Sequence, residues 1–266
     1  MIRFLFDDLR PRLLASLFSL TLLFGTLYMT SFKGFAILFP IMLSLITIGG
    51  LFEYLQMAKG KGLNPPFWLL ALSTLFYNLA IFAKTTTAWG GLFPHISLAL
   101  IFAALFLFYF WCGKDPLLNL AVSIFSLAYL TLPLATATEI VFFKGEDGRF
   151  ALLFVLGVTK MGDIAAYFYG KQYGKHLLTP YISPKKTWEG AIAALFASLL
   201  TGFVFFGINH LLMREPHPPI TFFETFLLSI LIYLFALFGD LAESLLKRDS
   251  GIKDSSKIPG VGGILD

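Results

Sequence analysis

Apolar residues run in eight long blocks, near 13–30, 35–52, 67–83, 92–111, 118–137, 151–170, 191–212 and 222–246, separated by short polar joints. Each block approaches the ~20 residues that a helix needs to cross the hydrocarbon of a bilayer. Barrel strands would be roughly half as long and would alternate apolar with polar positions, and backbone groups in lipid must bond within their own segment. The pattern predicts an all-α, polytopic membrane helical bundle with eight transmembrane helices. The first block has no small-residue cleavage site and is followed by many further blocks, so it reads as a retained anchor and not a removed leader.

Composition agrees with this reading and removes its competitors. The chain of 266 residues is 57% hydrophobic and 14% charged, with 31 phenylalanines and a mean hydropathy of +0.79. That is more apolar surface than a water-soluble fold of this size can hide. The single Cys112 excludes an internal disulfide and any cysteine-rich zinc or iron–sulfur framework. The formal net charge of +4 reflects loop topology before it reflects nucleic acid. With the N-terminus inside, the inner segments 1–12, 53–66, 112–117, 171–190 and 247–266 carry 14 lysines and arginines, the outer loops carry 5, and Lys160 stands inside a span. The positive-inside rule therefore places both termini in the cytoplasm.

No internal repeat of the kind that marks many secondary transporters is evident. The polar intrusions concentrate in one half. Residues 1–150 read as an N-terminal transmembrane scaffold with a lipid groove, and residues 151–266 as a C-terminal transmembrane catalytic region.

Two polar regions fall in that second half, both inner by the charge count. The first runs from Leu156 to Gly190. Lys160 and Asp163, three apart, share a helical face and are too costly to show singly to lipid, so they are expected to face protein or a wet cleft. A loop follows with Ser183, Lys185, Lys186 and Thr187 before Trp188 and Glu189. It offers a hydroxyl, two cations and free N–H groups at a helix start, the elements of a phosphate site or of an ordinary cationic inner loop. Gly-Lys-x-x-Gly-Lys from Gly170 to Lys175 is not a nucleotide-binding P-loop, because its spacing is wrong and it follows an apolar helix.

The second region runs from Phe238 to Asp266. Asp240, Glu243 and Lys247 are spaced i, i+3 and i+7 on one helical face with Ser244 beside them. Arg248, Lys253 and Asp254 follow, then a glycine-rich turn from Pro259 to Gly263 and finally Asp266. Hard oxygen ligands at Asp163, Asp240 and Asp266, near lysine and arginine, are the ingredients of a magnesium and polyphosphate site. Alternatively, Asp240 pairs with a base only to hold the bundle together. His95, His176, His210 and His217 have no metal-ligand spacing, and no nucleophile elbow is present. Any chemistry here is expected to be direct displacement. On the residues alone, a membrane transporter and an inert scaffold stay open beside an enzyme of phosphate chemistry, and a related lipid or polyprenol kinase stays open beside the family resemblance that follows.

At these two regions the sequence resembles the phosphatidate cytidylyltransferases, or CDP-diacylglycerol synthases. The likeness is carried in order by GDIAAYFYGKQYGKH from Gly162, ISPKKTWEG from Ile182 and GDLAESLLKRDSGIKDSSKIPGVGGILD from Gly239. Glu53 also stands where the family has an acidic residue. Where many members read Pro-Gly-His-Gly-Gly, this chain has Val261 as the middle residue.

The resemblance implies transfer of CMP from CTP to phosphatidic acid, with pyrophosphate released, for phospholipid biosynthesis. It implies Mg2+, alone or with a second metal ion, on Asp240 and Asp266. Asp240, Lys247, Arg248 and Asp254 become the catalytic set. Asp163, Ser183, Lys185, Lys186, Thr187, Glu243, Ser244 and Lys253 become the substrate-binding set. The expected partners are phosphatidic acid, CTP and membrane lipids, without nucleic acid, and a homodimer is left open. The expected location is the bacterial inner membrane with the site on the cytoplasmic face. The family motif continues past Asp266 into a further hydrophobic span, so the resemblance also implies a ninth helix and a truncated chain here.

Overall fold

The computed structural model describes residues 17, 19–32, 34–87, 90–143, 147–212, 220–251 and 263–265. The helices in chain order are α1 (Ser19–Met29), α2 (Leu38–Gly60), α3 (Phe67–Thr86), α4 (Phe93–Cys112), α5 (Pro116–Val141), α6 (Arg149–Tyr173), α7 (Trp188–Leu212) and α8 (Phe222–Asp249). Seven of these, α2 to α8, are long and apolar enough to cross a membrane. The protein is thus an all-α polytopic membrane bundle. The described part of α1 is shorter than a span.

The helices fall into two compact units, Met1–Lys144 with Ser250–Asp266, and Gly145–Asp249. In the first unit α2 is the most buried span, with Phe39, Leu51 and Leu55 fully enclosed. It also runs further than the hydropathy boundary near 52, because no helix breaker intervenes before Gly60. A Schellman motif then closes it: Gly62 takes φ +83°, its N–H donates to Lys59 O at 2.9 Å, and Leu63 N–H donates to Ala58 O at 3.1 Å. Glu53, expected in the joint after this span, is therefore inside the helix and only 4% exposed.

Buried polar side chains stitch the first unit together. Asn119 accepts Asn64 N–H at 2.7 Å and donates to Lys114 O at 2.9 Å, joining the α2–α3 and α4–α5 connections on one side, as alternating spans require. Thr74 and Thr131 hydroxyls meet at 2.8 Å between α3 and α5, and Thr138 donates to Asn78 Oδ1 at 3.4 Å. A π turn at Leu127–Thr131 interrupts α5 just before Pro133, whose missing N–H and ring disrupt regular α-helical bonding there.

In the second unit α6, α7 and α8 pack closely. A Cβ on Gly190 would stand 2.9 Å from Ala166 O and 3.2 Å from Gly170 Cα, so this α6–α7 crossing requires glycine. Ser198 donates to Val158 O at 3.1 Å, and Tyr233 hydroxyl donates to Ala191 O at 2.8 Å, tying α7 to both neighbours. Between α6 and α7 the chain forms a short antiparallel hairpin of β1 (Leu177–Thr179) and β2 (Ser183–Thr187), with Leu177 opposite Thr187 and Thr179 opposite Ser183. The hydropathy pattern predicts a loop there. Leu177, Thr179, Thr187 and the Pro-Tyr-Ile turn fit a ribbon, but a segment this short and lysine-rich has no apolar alternation to announce it.

Candidate active site

The site is built on three elements of the second unit. Helix α8 has 28 residues, about 42 Å at 1.5 Å per residue, against ~30 Å of hydrocarbon. Its last three turns hold Asp240, Glu243, Ser244, Lys247 and Arg248.

Strand β2 brings a cation to that end. Lys186 Nζ lies 2.6 Å from Asp240 Oδ2, with side chains 19% and 56% exposed. Successive residues of a strand face opposite ways, so Lys185 points away and is exposed while Lys186 is half-buried. Arg248 Nε donates to Ile182 O at 3.3 Å, a second tie between α8 and the hairpin. Glu243 and Lys247 pair at 2.6 Å with side chains 17% and 12% exposed. The expected stripe on α8 is thus divided: Glu243 with Lys247 at the favourable i, i+4 spacing, and Asp240 with the hairpin. Ser244 is half-buried beside them.

From α6, Asp163 Oδ2 stands 3.9 Å from Lys160 Nζ, and both side chains are exposed. Asp163 also feels the charges of Asp240 and Lys186. Lys160 and Asp163 lie near the middle of a 25-residue span, where exposure to lipid would be expensive, so this face of the unit is a polar one. The two polar regions separated in sequence meet where Lys186 pairs with Asp240, with Asp163 within electrostatic reach of both.

The junction of β2 and α7 is locally fixed. Thr187 Oγ1 accepts Gly190 N–H at 3.2 Å, an N-cap bond. That use leaves its O–H as a donor. Glu189 Oε2 accepts Lys175 N–H at 3.1 Å and His176 N–H at 3.2 Å, while Oε1 meets His176 Nδ1 at 2.6 Å. The His176–Glu189 pair was not foreseen, since the histidine has no motif spacing and its partner is 13 residues away. Ser183 opens β2 opposite Thr179, half-buried.

Among the described residues, no group of three or more His, Cys, Asp or Glu side chains is placed to hold a metal ion. Asp163 and Asp240 are nevertheless hard oxygen donors of the type that suits Mg2+ and not softer metals. Lys253, Asp254 and Asp266 lie outside the described residues.

Comparison with known proteins identifies the family. Residues 10–266 match the Cytidylyltransferase family. A phosphatidate cytidylyltransferase of Haemophilus influenzae is 33% identical over 246 residues, covering 86% of this chain and 84% of that protein. Another, from Chlamydia pneumoniae, is 28% identical across 98% of this chain and 87% of its own length. A third, from Helicobacter pylori, is 47% identical over 123 residues, which cover 46% of this chain and 42% of that protein. Because the family match spans nearly the whole sequence, and a relative above 30% identity aligns over most of both chains, the chain belongs to the phosphatidate cytidylyltransferase (CDP-diacylglycerol synthase) family of nucleotidyltransferase enzymes.

Proposed function

We propose that this enzyme transfers CMP from CTP to the phosphate of phosphatidic acid at the constellation of Asp163, Lys186 and Asp240. The observation that carries the reading is the 2.6 Å pair between Lys186 and Asp240, which joins the two family motifs at one point of the second unit.

The lipid phosphate already bears a nucleophilic oxygen, so no serine or cysteine has to be activated. That oxygen attacks the α-phosphorus of CTP, the bond from this phosphorus to the bridging oxygen breaks, and pyrophosphate leaves with the electron pair. What the chain supplies is position and charge. Lys186 and Thr187 would hold phosphate oxygens, with Ser183 and Lys185 completing the phosphate contacts. Lys247 and Arg248, with Lys253 and Asp254, would shape the nucleotide site, and Glu243 keeps Lys247 oriented beside Ser244. Asp163 would support the nucleotide side. Asp240, and by resemblance Asp266, would hold Mg2+, alone or with a second ion, which offsets charge on the phosphates when bound.

In this reading residues 1–150 are scaffold and lipid groove, α1 belongs to a full eighth crossing, and the site opens to the cytoplasm. Acyl chains enter from the bilayer while CTP enters from water. The partners are phosphatidic acid, CTP and membrane lipids; nucleic acid has no part in it, and a homodimer is compatible with it.

The test is pyrophosphate release by the purified protein in detergent. Release is expected only when phosphatidic acid, CTP and Mg2+ are all present, and not when diacylglycerol replaces phosphatidic acid. Equal release without the lipid acceptor would contradict the proposal.

A further inference from the structure

No acidic residue stands between Asp163 and Glu189, a stretch that holds Lys171, Lys175, Lys185 and Lys186. Lys186 is paired with Asp240, whereas Lys171, Lys175 and Lys185 are exposed. Large aromatic side chains are exposed beside these cations. Tyr173 at the end of α6 is 52% exposed, Trp188 at the start of α7 is 55%, and Tyr181 in the turn of the hairpin is 96%. The last two turns of α6 repeat the pairing, with Lys171 Nζ 5.6 Å from the Tyr167 ring centroid. A single exposed aromatic is ordinary, but a cluster of them around a short basic ribbon marks an interaction surface.

The depth of the hairpin follows from its contacts along α8. Lys186 meets Asp240 near the base of β2, and Ile182 O accepts from Arg248 beside the turn. Four strand residues cover about 13 Å and eight helical residues about 12 Å, so β2 runs in the reverse sense alongside the end of α8. Tyr181 thus stands at the level of the last turn of that helix. At about 42 Å, α8 matches the ~40–45 Å of hydrocarbon together with both headgroup layers, which sets its last turn and the Tyr181 turn among headgroups. Aromatic residues and lysines suit that layer, since the ring meets the apolar boundary and the ammonium meets phosphate.

We propose that the β1–β2 hairpin is an interfacial docking surface for phosphate-bearing anionic lipids, with Tyr181 as its membrane anchor and Lys171 and Lys175 as headgroup contacts. A phosphate in water would be drawn to the lysines alone, whereas an exposed aromatic cluster at headgroup depth adds the apolar half of a membrane-surface site. Because β2 also carries Lys186, the surface gathers acceptor lipid beside the proposed site. That gathering role rests on the proposed reaction, whereas the docking surface itself does not.

The test uses the full chain in lipid nanodiscs, with Tyr181→Trp as the reporter and the four native tryptophans replaced by phenylalanine. Lipids brominated near the headgroup end of the acyl chain are expected to quench the reporter strongly, and aqueous acrylamide weakly. Brominated phosphatidic acid should act at about tenfold lower mole fraction than brominated phosphatidylcholine. Lys171→Gln with Lys175→Gln should remove most of that preference, since each lysine near an anionic surface is worth roughly fivefold in binding. Inorganic phosphate at matched ionic strength should leave the preference unchanged. Strong quenching by acrylamide and none by brominated lipid would overturn the anchor. Equal quenching by the two lipids, or a preference abolished by inorganic phosphate, would overturn the docking of anionic lipid. If the tryptophan-free chain folds poorly, a nitroxide on Tyr181→Cys in a Cys112→Ser chain reads the same depth, from its relaxation by oxygen against a water-soluble nickel chelate.

The gathering role has its own readout. At low surface density of phosphatidic acid, the lysine double variant should raise the apparent KM for this lipid about tenfold and leave the KM for CTP unchanged. A raised KM for CTP with an unchanged KM for the lipid would make the lysines a nucleotide path and overturn that role. If no CDP-lipid formed at all, the quenching result would still decide the docking surface.

Discussion

Asp240→Asn is expected to lower turnover at least ~100-fold while barely moving the thermal unfolding temperature, since 100-fold corresponds to about 2.7 kcal/mol of transition-state stabilisation. The two effects separate because Asp240 has little to do with holding the fold. Its side chain is 56% exposed, and its ion pair is with Lys186; partly exposed pairs contribute roughly 0–1 kcal/mol to stability. Asparagine keeps the shape and one oxygen but loses the charge that a hard divalent cation needs. The requirement for Mg2+ should therefore rise in parallel with the loss of turnover. An Asp240→Asn protein with full Mg2+-dependent activity would remove the metal role, and one that failed to fold would make Asp240 a bundle-pairing residue.

Lys186→Met is expected to lower kcat/KM by about 10- to 100-fold, the scale of one charge-assisted hydrogen bond to phosphate. Its effect on metal should have the opposite sign to that of Asp240→Asn. A carboxylate carries two oxygens with about four lone-pair sites, and in this structure Oδ2 is paired with Lys186. Removing the lysine frees that oxygen for cation, so the Mg2+ requirement should stay level or fall. Because the two residues touch, the double variant should be less damaged than independent effects would make it. Losses that add independently would show that the pair is not part of one site. Lys186→Arg should restore part of the activity but not all, since guanidinium and ammonium present their donors differently.

Much of the bundle is written in the sequence because lipid imposes a simple rule: long apolar blocks become helices. Blocks near 67–83, 92–111 and 191–212 correspond to α3, α4 and α7 with ends moved by only a few residues. What hydropathy cannot see is a lone polar residue inside an apolar block, since its neighbours dominate any average. Asn78 and Thr131 are of this kind, Glu53 and Thr138 stand one residue past their blocks, and all four are buried in the first unit. Glu53 was legible as an acidic position by resemblance, but its partners, the N–H groups of Ile264 and Leu265 more than 200 residues away, were not.

The candidate site divides the same way. Spacing on α8 correctly put Asp240, Glu243 and Lys247 on one side of the helix, yet spacing gives no partner across elements. Only the β1–β2 hairpin, invisible to periodicity, shows why Lys186 and not Lys185 reaches Asp240. For Lys253, Asp254 and Asp266 the sequence remains the whole basis of the roles proposed.

The central claim is which phosphorus of CTP is transferred, and the position of a label answers it. Purified enzyme given phosphatidic acid and Mg2+ should move an α-phosphate label of CTP into the lipid and a γ-phosphate label into pyrophosphate. A γ-phosphate label appearing in the lipid would make the protein a kinase and contradict the account.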